Sequence, residues 1–360
     1  MFVQPVPTLC RDGDGVLILD QTALPYRQSR LPLQDVDAAA HAIHSMQVRG
    51  APLIGATAAF GVALALKDAT DDDTLESALR QLTATRPTAV NLHWALARMA
   101  AKLRPLPPAQ RREAAWAEAE AICADDAATC QAIGEHGLAL LRQASVKPGR
   151  ALTVMTHCNA GWLATLGAGT ALAPVYAAQA AGLPVHVLVS ETRPRNQGLL
   201  TAWELREAGV PHTLIADNAA GLLLARGEVD LVITGADRIA ANGDTANKVG
   251  TYLKALAAKA AGVPFYIAAP YSTLDFACAN GGAIPIEDRG ADEVTSLRGL
   301  DEAGQERTLQ LAPACTAALN PAFDVTPATL ITAIITERGA IAPQDLASRY
   351  ADRAAATENT

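Results

Sequence analysis

Aromatic side chains are scarce in this chain: four Trp, six Tyr and five Phe make up 4% of its 360 residues. With so few large rings and so much alanine, a β-sandwich core is disfavoured, and small residues that let helices pack closely on a sheet point to the α/β class. Positive charge is also short. The formal net charge of -8 argues against a broad electrostatic grip on nucleic acid or on an anionic membrane. No apolar run is long enough to cross a bilayer, and the opening MFVQPVPTLCRDGDG lacks a basic stretch followed by an apolar one, so the expected location is the cytoplasm. The six cysteines, Cys10, Cys123, Cys130, Cys158, Cys278 and Cys315, include no CxxC pair, and the seven histidines include no HExxH. Neither a disulfide framework nor a metal site is therefore expected. The phosphate-binding GxxxxGK[ST], a GxGxxG at a strand-to-helix junction, the GxSxG elbow and the kinase signature are all missing, which disfavours dehydrogenase, hydrolase and kinase readings.

The length suits two domains. Asp14-Gly15 before VLILD signals a hairpin and a short antiparallel sheet. Amphipathic or Ala-rich patterns then predict helices over Leu33 to Val48, Ile54 to Asp68, Asp73 to Thr85 and Val90 to Leu103. After the break at Pro105, Pro107 and Pro108, the stretch from Ala109 to Ala144 has few breakers and reads as one long joining helix. Beyond Pro148-Gly149, the runs ALTVMT, PVHVLVS, HTLIA, DLVITGA and PFYIAA alternate with helical segments, the pattern of a doubly wound parallel sheet. The expected organisation is a mostly helical N-terminal domain over residues 1–130, a Rossmann-like catalytic domain over 131–350 and a polar tail over 351–360.

In such sheets ligands bind beyond the carboxyl ends of the strands. Cys158 stands just after ALTVMT and His157, in a Gly-bearing turn read as leading into a helix whose free N–H groups would lower the thiol pKa; packing is the plainer explanation for a cysteine there. Asp237 ends LVITGA, where partial desolvation would raise its pKa toward that of a general acid, although a helix N-cap is an equally good explanation. Asn247 and Lys248 follow with Gly250-Thr251 and suit a phosphate or a hydroxylated ligand. Arg49-Gly50-Ala51-Pro52 lies between two predicted helices, where glycine allows close backbone approach and the guanidinium supplies charge; Arg86 repeats the idea. Each arginine alone is as well explained by the surface, and Glu191, Arg193 and Arg195 by an internal ion-pair network.

The motifs RGAPLIG, RPTAVNL, THCNAGWLAT, ETRPRNQG followed by LTAWEL, GADRIAANGDTANKVGTY, IPIEDR and NPAFDVTPA together resemble the methylthioribose-1-phosphate isomerase family over nearly the whole chain. The resemblance implies a homodimeric enzyme of methionine salvage that converts 5-methylthioribose 1-phosphate to 5-methylthioribulose 1-phosphate without a cofactor. On matching positions it implies Asp237 as proton donor and Cys158 as the second catalytic residue. Arg49, Gly50, Ala51, Arg86, Gln197, Asn247 and Lys248 would bind substrate. Because the anomeric oxygen carries phosphate, the ring opens only if an acid protonates the ring oxygen. Hydrogen then moves from C2 to C1, as a proton through Cys158 or as a hydride. The same fold is similar to ribose-1,5-bisphosphate isomerases, to a 5-deoxyribose-1-phosphate isomerase and to regulatory subunits of the guanine-nucleotide-exchanging initiation factor. Asn196 in ETRPRNQG and Leu222-Leu223-Leu224 after DNAAG depart from the family pattern.

Overall fold

The computed structural model describes residues 2–86, 89–144, 146 and 149–350. Strands β1 (Leu9–Asp12), β2 (Gly15–Leu19) and β3 (Arg30–Leu33) form an antiparallel sheet; the turn that joins β1 to β2 is Gly13-Asp14, one residue earlier than expected, and Gly15 already pairs with Asp12. Leu33 belongs to β3, so the first helix begins later than its apolar pattern suggests. That helix, α1 (Val36–His44), is capped by Asp35, whose side chain accepts from the Ala38 amide at 2.8 Å. Helices α2 (Ala51–Ala65), α3 (Asp72–Thr85) and α4 (Val90–Leu103) follow. Asp71 caps α3 through the Thr74 amide at 2.9 Å, and α2 is buried on nearly every side by its neighbours. Pro87 and Thr88 lie outside the described residues.

Helix α5 (Pro108–Gln143) is the long joining helix. Ala115, Trp116, Ala119 and Ile122 pack into the core of the helical half, whereas Cys130, Ile133 and Leu141 pack against the large sheet. One helix thus stiffens both halves around whatever lies between them.

The second half alternates β4 (Leu152–Thr156), α6 (Ala173–Ala180), β5 (Val185–Ser190), α7 (Gln197–Glu207), β6 (His212–Ile215), α8 (Ala219–Ala225) and β7 (Leu231–Thr234). It continues through the hairpin β8 (Arg238–Ala240) and β9 (Thr245–Lys248), α9 (Thr251–Ala261), β10 (Phe265–Ala268), β11 (Leu274–Asp275), the hairpin β12 (Ser296–Leu300) and β13 (Glu306–Gln310), β14 (Phe323–Thr326), β15 (Ala333–Thr336) and β16 (Gly339–Ile341). The large sheet has the order β16-β15-β10-β7-β4-β5-β6, parallel except for β16. All five predicted strands are present, and the sheet is a doubly wound α/β sheet. From β4 the chain winds outward through β5 and β6, then returns to β7 on the other side. The switch point therefore lies between β4 and β7, the place where such sheets open a crevice. A smaller sheet, β11-β8-β9-β14, rises from the end of β7. Among the described residues no helix is long and apolar enough to cross a membrane.

Candidate active site

A cavity of about 130 Å³ opens at the switch point, between the carboxyl ends of β4 and β7 and the helical half of the chain. Its wall includes Cys158, Asp237, Arg49, Gly50, Ala51, Arg86, Gln197, Asn247 and Lys248, so all nine residues singled out in the sequence converge on one space. They come from α2 and the turns before it and α4, from the loops after β4, β5 and β7, and from β9.

Cys158 adopts a left-handed backbone conformation, φ +65°, which costs a non-glycine residue roughly 1 kcal/mol or more. Two hydrogen bonds hold it there: its amide donates to Thr192 Oγ1 at 2.9 Å, and Thr201 Oγ1 donates to its carbonyl at 2.7 Å. A cysteine that merely filled space would need no such conformation. The expected helix does not start at this turn. A short 3₁₀ turn covers Trp162–Ala164 and α6 begins only at Ala173, so no helix terminus activates the thiol. Burial instead pushes Cys158 above its ordinary pKa, against the pull of Lys248 and Arg49, and leaves it a neutral thiol at neutral pH.

Asp237 is no helix cap either. Its amide donates to Ala246 O at 2.9 Å within the β8–β9 hairpin, and a strand rather than a helix follows it. Its side chain is exposed and lines the cavity. Among the described residues no donor is hydrogen-bonded to its carboxyl group. Burial raises its pKa even though Lys248, Arg86, Arg289 and Arg49 all pull it down. Asp237 thus holds a proton more tightly than an ordinary aspartate, which is what an acid catalyst working near neutral pH needs.

The cations are arranged around this pair. Lys248 is buried, donates to Ala322 O at 2.8 Å and sits over the Phe323 ring at 4.5 Å; burial first, then Arg289, lowers it to about 8. Arg49 is buried and donates to the side-chain oxygen of Asn159 and, at 3.3 Å, to its carbonyl. Its Nε has no hydrogen-bond partner among the described residues, and neither has the buried Oε1 of Gln197, the first residue of α7. Both are polar atoms beside the cavity that a ligand would satisfy. Arg86 is lowered by burial and by Arg289 nearby. Gly50, at φ +92°, starts α2 where a Cβ would lie 2.5 Å from Ala164; only glycine lets Arg49 and the first turn of α2 reach the loop after β4.

His157, beside Cys158, is fully buried. Its Nε2 donates to Val249 O at 2.8 Å, and burial lowers it to about 3, so it is neutral and structural rather than a proton relay. Arg193 donates to the carbonyls of Pro194, Ser296, Glu293 and Val294, Arg195 pairs with Glu293, and Glu191 accepts from the Asp217 amide, so these three are held by the chain but do not form the expected ion-pair network with one another. Sequence reasoning missed Arg289, which lines the cavity and is paired with Glu287 at 3.1 Å. It lies in an irregular Pro-bearing segment with no periodicity to place it, and only the quoted IPIEDR could have marked it. Among the described residues no three His, Cys, Asp or Glu side chains are grouped to hold a metal ion.

A family model described as the initiation factor 2 subunit family matches residues 47–343. The chain is 63% identical to a methylthioribose-1-phosphate isomerase of Dechloromonas aromatica (strain RCB), with 91% of each chain covered. It belongs to the initiation factor 2 subunit family, among the methylthioribose-1-phosphate isomerases. The crystal structure of 5-methylthioribose 1-phosphate isomerase from Pyrococcus horikoshii OT3 superposes on this isomerase family member with a TM-score of 0.83 at 37% identity, covering 96% of each chain. A structure from A. fulgidus titled as the delta subunit of translation initiation factor eIF-2B gives 0.78 at 38%, covering 94% of this chain and 97% of that one. The methylthioribose-1-phosphate isomerases thus share their fold with proteins named for translation initiation, so the fold alone does not fix the function.

Proposed function

We propose that the chain converts 5-methylthio-α-D-ribose 1-phosphate to 5-methylthio-D-ribulose 1-phosphate in methionine salvage, with Asp237 and Cys158 as its catalytic residues. The observation that carries this reading is the pair itself. Asp237 and Cys158 stand at the ends of adjacent strands across the switch point, both facing one cavity and both pushed by burial above their ordinary pKa values.

The chemistry closes on these groups. The substrate phosphate binds against Arg49, Gly50, Ala51, Arg86, Gln197, Asn247 and Lys248. Asp237 gives its proton to the ring oxygen, the bond from that oxygen to C1 breaks, and the cation left at C1 is shielded from water. The hydrogen on C2 moves to C1 beside Cys158. The proton of the C2 hydroxyl returns to the Asp237 carboxylate, so the ketose forms and the acid is restored. Oxidation at C2 balances reduction at C1, and no external oxidant or reductant enters.

A second phosphate at C5, as in ribose 1,5-bisphosphate, would need further uncompensated cations. The additional arginines that line the cavity, Arg238 and Arg289, are already paired with Asp275 and Glu287, and Arg195 nearby with Glu293. A homodimer fits the surface of the catalytic half: α8 and α9 pack on each other and leave Leu222, Leu253 and Leu256 exposed. We place the enzyme in the cytoplasm. Initial rates with 5-methylthioribose 1-phosphate, 5-deoxyribose 1-phosphate and ribose 1,5-bisphosphate test the reading. The highest kcat/KM is expected for the first, and a preference for the bisphosphate would overturn it.

A further inference from the structure

Behind the cavity wall runs a buried polar chain that the proposed chemistry does not use. Glu204, in α7, is fully buried, and its carboxyl group receives hydrogen bonds from three sides. Tyr176 Oη donates to Oε1 at 2.8 Å, while Asn159 Nδ2 and the Leu163 amide donate to Oε2 at 2.9 and 3.2 Å. Asn159 Nδ2 also donates to Thr201 Oγ1 at 3.0 Å. The other end of the same amide, Oδ1, accepts from Arg49 Nη2.

We infer that Glu204 is a positioning residue for the isomerisation: it fixes the amide of Asn159 with its oxygen toward Arg49 and thereby aims the Arg49 guanidinium at the substrate phosphate. The inference rests on the proposed function. An asparagine amide has a donor end and an acceptor end, and a reversed Asn159 would set an N–H₂ group against a guanidinium that can only donate. Glu204 Oε2 excludes that reversal, because two N–H groups converge on it and it can answer them only as an acceptor. Burial pushes Glu204 up to about 7, yet a proton carried on Oε1 leaves this polarity intact.

The relay also separates the carboxylate from the arginine by one neutral residue. A carboxylate placed directly against Arg49 would cancel the charge that an incoming anion needs; a neutral amide holds the guanidinium and leaves its field directed into the cavity. The glycine of THCNAG belongs to the same device. A Cβ at Gly161 would lie 1.4 Å from Glu204 Oε1, so a side chain there would evict the carboxyl group from its place.

The test is a double-mutant cycle in the full chain, read as steady-state kinetics with 5-methylthioribose 1-phosphate. Glu204→Leu removes the acceptor and is expected to raise KM about tenfold, the size of one charge-assisted hydrogen bond. Its kcat falls less, because the Thr201 bond to the Cys158 carbonyl survives. Glu204→Gln, which can still accept from Asn159, stays within about threefold of the parent. Combined with Arg49→Lys, Glu204→Leu adds no more than about a further twofold, since both act through one guanidinium. Multiplying losses, an unchanged KM, or a Gln variant as impaired as the Leu variant would overturn the inference. Should Glu204→Leu not fold, Asn159→Ala carries the same expectation, and an unchanged KM there overturns it equally. A parent enzyme inactive on this substrate would instead remove the proposed function and the inference with it.

Discussion

Lys248 should make anion binding fail on the alkaline side of neutrality. Its ammonium is buried against Ala322 O and the Phe323 ring, and burial with Arg289 nearby lowers it to about 8, well below an ordinary lysine. The sign follows directly: the site is fully charged below pH 8 and loses one cation as pH rises through 8. A unit charge about 4 Å from an anion, at an effective dielectric constant of about 20, is worth about 4 kcal/mol, or nearly three orders of magnitude in affinity. From pH 8 to pH 9 the protonated fraction drops from about half to about a tenth, so affinity for a phosphate anion should fall about fivefold over that step and about tenfold per unit beyond it. The assay is competitive inhibition by inorganic phosphate from pH 7.5 to 9.5, where phosphate is already largely the dianion. Binding near pH 8.5 should also take up protons, seen by calorimetry in buffers of different ionisation enthalpy, because the bound anion restores the ammonium. Lys248→Met should bind phosphate weakly and without this pH dependence. An inhibition constant that stays flat for the parent across the range, or a Lys248→Met variant that keeps the alkaline loss, would refute the reasoning.

Two further outcomes follow from other parts of the structure. Gly50→Ala places a methyl group 2.5 Å from Ala164 at a left-handed φ and should cost about 2–5 kcal/mol of stability, measured as a lower midpoint of urea unfolding with substrate affinity reduced in parallel. If the proposed homodimer forms through the exposed face of α9, Leu253→Asp with Leu256→Asp should lower the sedimentation coefficient of the protein in analytical ultracentrifugation to that of a monomer; an unmoved coefficient would overturn that docking face.

Much of the fold is legible because its signals are local. Helix α4 runs from Val90 to Leu103, the limits its apolar spacing sets, and the five parallel strands are short β-branched runs bounded by polar turns. What escaped depends on distant partners. Thr245–Lys248, TANK, has neither alternating hydrophobicity nor β-branched content beyond one threonine, and becomes a strand because Phe323–Thr326 pairs with it more than seventy residues later. The same hairpin decides the role of Asp237: read locally, an aspartate after a strand is a helix cap, and only the pairing that follows makes it a carboxyl group standing alone in a cavity. Cys158 is marked by its place just after a strand, but no helix terminus lies there to lower its pKa, and burial outweighs the two nearby cations and raises it instead. Arg289 and Glu204 carry no local signal. Each is defined by what faces it across the fold, Phe323 for the one, Asn159 and Tyr176 for the other.

The central claim is that Asp237 supplies the proton that opens the ring and that Cys158 serves the hydrogen transfer. It is tested most directly by following 5-methylthioribose 1-phosphate into the ketose phosphate by NMR with the parent, Asp237→Asn and Cys158→Ala side by side. The account predicts full conversion by the parent and a loss of about 10²–10⁴ in kcat for Asp237→Asn, the usual contribution of a general acid, with a comparable loss for Cys158→Ala while both variants still bind substrate. Parental kcat in either folded variant would contradict it.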